Sequence, residues 1–142
     1  MKYEFSKKDL GLLLKKYTYW TLYLSPKQYY LGKLKLVLNR KQVIDFCELT
    51  TNESRELIST IKVCRKALVE CFKPDLFNYA TLGNCIRHHH WHIIPRYKTK
   101  RIFDNVIFQD EHWNNPSWPN PDKLLKRKTI KAIKDCISEK LR

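Results

Sequence analysis

The sequence predicts an α+β domain, an antiparallel sheet with a central and a C-terminal helix packed against it. Three observations lead there. Residues 17–24 and 33–38, and the stretch 76–95, hold short strand-like runs broken by turn residues. Such runs, joined by short turns, pair antiparallel. One long segment, 51–72, repeats its apolar residues with helical period. A second helical segment closes the chain from about residue 122.

Residues 1–16 are charged and end in Leu10, Leu12, Leu13 and Leu14, and they read as a short helix or an arm. Tyr17 to Leu24 is aromatic and β-branched, and Ser25-Pro26 ends it. Lys33 to Leu38 follows Gly32 and begins with alternation, which reads as a second strand.

Thr50 and Glu53 have the spacing of a capping box at the start of the central helix. Leu57, Ile61, Cys64, Leu68 and Phe72 share one face, and Pro74 stops the pattern. From Leu76 to Pro95 the chain reads strand, turn, strand, with Gly83-Asn84 in the turn. Residues 109–121 hold Trp113, Trp118 and three prolines, and read as an aromatic loop. The last helix, 122–142, carries Leu125, Ile130, Ile133, Ile137 and Leu141 on one face. Lys126, Arg127, Lys131 and Lys134 lie on the other.

The 142 residues make one domain, with no internal repeat. Three glycines are too few for a Rossmann or P-loop fingerprint. Five cysteines, an odd number with no C-x-x-C pair, argue against a disulfide framework or a structural zinc site. No apolar run approaches the roughly 20 residues of a membrane span. The expectation is a cytoplasmic protein without a membrane partner. Lys and Arg outnumber Asp and Glu by 28 to 14, a formal net charge of +14. That excess attracts anions: nucleotides, polyphosphates or nucleic acid.

Four of the five histidines fall within five residues: His88, His89, His90 and His92. On a strand, side chains alternate between faces. His88, His90 and His92 then share one face with Ile94, and His89, Trp91 and Ile93 take the other. Three imidazoles in a row suit metal ligation. They also suit nucleophilic and acid–base work near neutral pH. No carboxylate or cysteine stands beside them to favour a metal.

The segment His88-His89-His90-Trp91-His92-Ile93-Ile94 resembles the motif of the histidine-triad (HIT) family, His-x-His-x-His followed by two apolar residues. Pro95-Arg96 after it, Asn78 to Asn84 before it, and the strand from Lys33 to Arg40 are similar to that family as well. The resemblance spans roughly residues 17–96. It implies a HIT-like fold with a five-stranded antiparallel sheet, usually a homodimer. It also implies hydrolysis of dinucleoside polyphosphates, nucleoside phosphoramidates or related nucleotides.

By that resemblance His90 is the nucleophile, forming a covalent nucleotidyl-histidine that water cleaves. His88 and His92 orient it and bind the phosphate. A histidine at the third position, rather than glutamine, points to the hydrolase side of the family. No cofactor is implied. Any Mg²⁺ travels with a polyphosphate substrate, and no residue is assigned as a metal ligand.

The family's Lys-Arg-His sequence after the early strand is absent; the chain has Asn39-Arg40-Lys41-Gln42. That leaves Lys41 or Gln42 as a phosphate or ribose donor. Asn84, Asn78 and Arg96 are the other expected phosphate contacts, Arg96 alternatively a solvent-exposed strand end. Trp113 and Trp118 are expected to stack on a base, seal an interface or pack on their own domain. Two alternative functions stand beside the hydrolase. One is an aprataxin-like enzyme removing adenylate from nucleic-acid ends. The other is a non-catalytic nucleotide- or metal-binding module.

Overall fold

The computed structural model describes residues 4–119 and 121–142. Helix α1 (Lys7–Leu10) leads into strands β1 (Leu12–Lys16), β2 (Trp20–Leu24) and β3 (Leu34–Leu38). A 3₁₀ turn at Phe46–Glu48 precedes helix α2 (Thr51–Phe72). Strands β4 (Leu76–Ala80), β5 (His90–Arg96), β6 (Arg101–Phe103) and β7 (Val106–Phe108) follow, and helix α3 (Arg127–Lys140) ends the chain. Five strands form one sheet in the order β1-β2-β3-β5-β4, every neighbouring pair antiparallel. β6 and β7 form a separate hairpin.

The expected α+β architecture is present, and α2 spans the residues its periodicity indicates. Thr50 accepts from the Glu53 amide, and the Glu53 carboxylate accepts from the Thr50 amide, so the capping box is closed. Leu57, Cys64, Leu68 and Phe72 of α2 are buried against Trp20, Leu22, Leu24, Leu34, Leu36 and Leu38 of β2 and β3. The Trp20 indole donates to the Glu53 carbonyl at 2.9 Å, so its polar edge is not wasted inside the core. Gly32 turns the chain into β3 at φ 86°. A Cβ there would lie 2.8 Å from Leu68 Cδ2, so only glycine allows α2 to approach this closely.

Three segments differ from the sequence reading. Residues 12–16 are an edge strand, where a helix or arm is expected. Every second residue there is not apolar, and the strand is exposed except at Leu14, so alternation does not reveal it. The hairpin β6–β7 has no counterpart in the expected elements. Its turn uses Asp104 and Asn105, both at positive φ, a habit of these residue types. The last helix begins at Arg127, not near Asp122. The Asp122 carboxylate instead accepts from the Lys123 amide, and Leu124 is fully exposed. Among the described residues, no helix is long and apolar enough to cross a membrane.

Candidate active site

Strand alternation divides β3 and β5 between two jobs. Leu34, Leu36 and Leu38 point into the core with Ile93, while Lys33, Lys35 and Val37 stand on the opposite face with His90 and His92. Register then fixes the neighbours. Lys35 pairs with His92, and Val37 pairs with His90.

His90 and His92 have ring centroids 5.0 Å apart and are 6% and 7% exposed. His90 Nδ1 lies 2.6 Å from the His88 carbonyl oxygen. A carbonyl only accepts, so Nδ1 carries the proton. Burial, with Lys35, His89 and His88 nearby, pushes the His90 pKa down to about 4. The ring is therefore neutral at pH 7, and Nε2 holds a free lone pair.

His92 is driven lower still, to about 2, by burial and by Lys33, His90 and Lys35. Its Nδ1 is buried without a hydrogen-bond partner among the described residues. An unmade bond of this kind costs about 1–3 kcal/mol, so the atom marks a place for a ligand or a water.

His88 precedes β5, at a bend, and its Nε2 donates to the Leu38 carbonyl at 2.6 Å. It therefore lies beside the expected row of three rather than on the strand itself. His89 faces the other way. Its Nε2 accepts from the Trp91 indole at 3.0 Å, so its Nδ1 donates to the Ile44 carbonyl. This neutral histidine ties β5 to the loop after β3 and takes no part in the open face.

Two clefts flank the histidines. The first, about 600 Å³, is lined by Leu10, Val37, Leu38 and Ile44, by Thr21, Asn39, Lys41 and Gln42, and by His88. The second, about 670 Å³, is lined by His90, His92, Lys27, Lys33, Lys35, Asn84 and Trp118. Phe5 stands between them, its ring edge-on to His90 at 4.7 Å and to His88 at 6.2 Å. Trp118 covers the second cleft, 4.9 Å from the His92 ring. Trp118 is 43% exposed and touches its own domain at His92 and Lys33.

Lys33 and Lys35 were not among the residues expected at the site. Lys33 is 1% exposed, with Nζ 4.9 Å over the Trp118 ring. Burial, then Lys35 and Lys27, lower its pKa to about 7. Lys35 is held over the Phe5 ring and donates to the Asp9 carbonyl; burial brings it to about 8. Lys-Leu-Lys-Leu alternation at 33–36 carried this signal: it sets both lysines opposite the core leucines. Only the β3–β5 register turns that into proximity to the triad.

Arg96 and Asn78 depart from the expected phosphate role. The Arg96 side chain is 1% exposed, and all five guanidinium N–H groups are engaged. Asp110 takes two, at 2.6 and 3.1 Å. The carbonyls of Asn115 and His112 and the Asn78 side chain take the others. The Asp110 side chain is 2% exposed. No donor remains for a phosphate, and the strand end is not in solvent. Arg96 and Asn78 instead pin the 110–115 loop, which leads to Trp118. Asn84 lines the second cleft, as its expected role requires.

At the exit of β3, Asn39 and Arg40 are both committed. Asn39 accepts from Thr21 and donates to the carbonyls of Tyr17 and Thr18. The Arg40 guanidinium pairs with Glu53 at 2.7 Å. Lys41 and Gln42 remain at the first cleft. Among the described residues, no group of three His, Cys, Asp or Glu side chains is arranged to hold a metal ion.

Residues 31–99 match the family described as HIT domain. Among curated proteins, the chain is similar to a bis(5'-adenosyl)-triphosphatase of Saccharomyces cerevisiae, 31% identical over 104 residues. That match covers 70% of this chain, which spans about half the length of the yeast protein, 50%. Among solved structures, a histidine triad protein of Bradyrhizobium japonicum superposes with TM-score 0.81 at 20% identity, covering 100% of both chains. Another, from Sinorhizobium meliloti, gives 0.78 at 20% identity, covering 93% of this chain and 90% of that one. The fold, the domain match and the sequence similarity agree: residues 31–99 carry the match to the HIT domain family, within a chain that has the histidine-triad fold.

Proposed function

We propose that the protein is a nucleotidyl hydrolase in which His90 attacks a nucleotide α-phosphate. Its substrates are dinucleoside polyphosphates or nucleoside phosphoramidates. The observation that carries this is the state of His90. It is neutral, with Nδ1 tied to the His88 carbonyl, so Nε2 keeps its lone pair at the wall of an open cleft.

Two half-reactions follow. His90 Nε2 forms a bond to the α-phosphorus while the bond to the leaving group breaks. Water then attacks the same phosphorus, the P–N bond breaks, and the nucleoside monophosphate leaves with the imidazole restored. Covalent catalysis divides one difficult transfer into two easier ones. The protonated Nδ1 stays on the His88 carbonyl throughout and fixes the ring's aim. His92, beside it, serves the phosphoryl oxygens, and His88, with its Nε2 held by the Leu38 carbonyl, offers the backbone carbonyl that aims His90. The first cleft combines apolar Leu10, Val37, Leu38 and Ile44 with polar Asn39, Gln42, Lys41 and Arg87, a lining that suits a nucleoside.

The similarity to a bis(5'-adenosyl)-triphosphatase supports the polyphosphate substrates. A homodimer belongs to the same proposal; Leu76 and Tyr79, exposed on the edge strand β4, are apolar surface that a second copy would cover. Turnover of a panel of diadenosine polyphosphates, adenosine phosphoramidate and adenylated DNA tests the reading. The expectation is hydrolysis of the first two classes, abolished in His90→Ala. No turnover by the wild type, or full activity in His90→Ala, contradicts it.

A further inference from the structure

The second cleft holds more positive charge than an α-phosphate needs. Lys27, Lys33 and Lys35 line it, against one carboxylate, Asp9. The Asp9 carboxylate is turned to the amide and hydroxyl of Ser6, which it accepts at 3.0 and 2.7 Å. Lys33 is the unusual member. It is 1% exposed and makes no ion pair among the described residues, and its Nζ rests over the Trp118 ring. A lysine buried without an anion is a costly arrangement, and proteins keep such groups where a partner arrives.

The two clefts differ in chemistry as well as position. The first carries Lys41 and Arg87 with Glu4, and the second carries three lysines, two of them buried, with Asp9. His90 lies beside Phe5, at the boundary between them. A substrate split at His90 therefore has its nucleoside on one side and its leaving group on the other.

We propose that Lys33 and Lys35, with Lys27 at the rim, bind the polyphosphate leaving group, so that the site selects phosphoanhydride substrates over phosphoramidates. This rests on the nucleotidyl transfer to His90 proposed above. In that transfer the bond from the α-phosphorus to the bridging oxygen breaks, and its electron pair goes to the oxygen of the departing nucleoside polyphosphate. The leaving group gains negative charge as the bond breaks. Fixed cations beside that oxygen stabilise the transition state more than the ground state. An amine leaving from a phosphoramidate departs neutral after taking up a proton, and gains nothing from two ammonium groups. The depressed pKa values of Lys33 and Lys35 agree with this placement: burial lowers both, and neighbouring lysines add to it.

The test compares kcat/KM for diadenosine triphosphate and adenosine phosphoramidate in the full chain and in Lys33→Met and Lys35→Met. Methionine keeps an unbranched stem and removes the charge. In each variant the ratio of the two constants is expected to fall by about tenfold or more. An unchanged ratio overturns the proposal. Inorganic tripolyphosphate supplies a second reading that does not depend on folding of a variant. It is expected to bind the wild type and to compete with phosphoramidate turnover, less well as salt rises. Absence of binding overturns the proposal.

The two levels separate cleanly. If the wild type hydrolyses both substrates and tripolyphosphate does not compete, the leaving-group site falls and the hydrolase stands. If tripolyphosphate binds but neither nucleotide is cleaved, the hydrolase reading falls and the anion site stands.

Discussion

Lys35 lies directly across from His92 in the antiparallel pairing of β3 with β5. This pair brings a buried ammonium next to the imidazoles of the triad. The same register sets Val37 opposite His90, so charge is concentrated on the His92 side of His90.

A pH dependence follows from the two lysines. Facing them in the cleft are Lys27, the Asp9 carboxylate, His90 and His92. Lys33 with a pKa of about 7, and Lys35 with about 8, lose their protons as pH rises through that range. A bound polyanion favours the protonated forms. So kcat/KM for a dinucleoside polyphosphate is expected to decline from about pH 7 to about pH 9. The decline for a phosphoramidate should be shallower. A steady-state pH profile for both substrates checks this, and parallel profiles contradict it.

His90 gives the opposite limb. Its pKa of about 4 keeps it neutral through the physiological range, and protonation silences it only as pH falls toward that value. Histidine-resolved NMR titration is expected to show His90 unmoved between about pH 5.5 and pH 8. Phe5→Ala removes the ring packed against His90 and raises its pKa, because burial is the main cause of the depression. A wild-type midpoint near the ordinary 6.5 contradicts the account.

Sequence reading reached the frame of this site but not its walls. The capping box at Thr50 and Glu53 and the face from Leu57 to Phe72 are local patterns, and α2 follows them residue for residue. The motif from His88 to His92 is local too, and it placed His90 and His92 on one face. What escaped depends on contacts far apart in the chain. Lys33 and Lys35 join the triad only through the β3–β5 register. Arg96 looks like a solvated strand end until the 110–115 loop folds back over it, 14 to 19 residues on. His88 leaves the expected row because β5 begins at His90. The exposed edge strand β1 has almost nothing buried to mark it.

Arg96 and Asp110 form an ion pair with both side chains almost fully buried. Removing one partner strands the other charge. Arg96→Ala or Asp110→Ala is expected to lower unfolding stability by about 3–5 kcal/mol. Arg96→Lys should recover little, since one ammonium cannot replace five donors in a fork. Denaturant unfolding measures this, and a loss below about 1 kcal/mol contradicts the anchoring role.

Gly32 combines positive φ with the close approach of Leu68 and Phe72. Gly32→Ala meets both a disfavoured backbone and a crowded core. The expected loss is about 2–4 kcal/mol, again by denaturant unfolding. A neutral substitution would mean that α2 can shift away from the start of β3 without cost.

The covalent intermediate is the centre of the account, and rapid-quench intact mass spectrometry tests it most directly. The wild type is mixed with a dinucleoside polyphosphate and quenched in alkaline denaturant, which preserves a P–N bond. The account predicts added mass of one nucleotidyl group, mapped to His90 and absent in His90→Ala. Turnover with no adduct in the wild type, or an adduct that persists in His90→Ala, contradicts it.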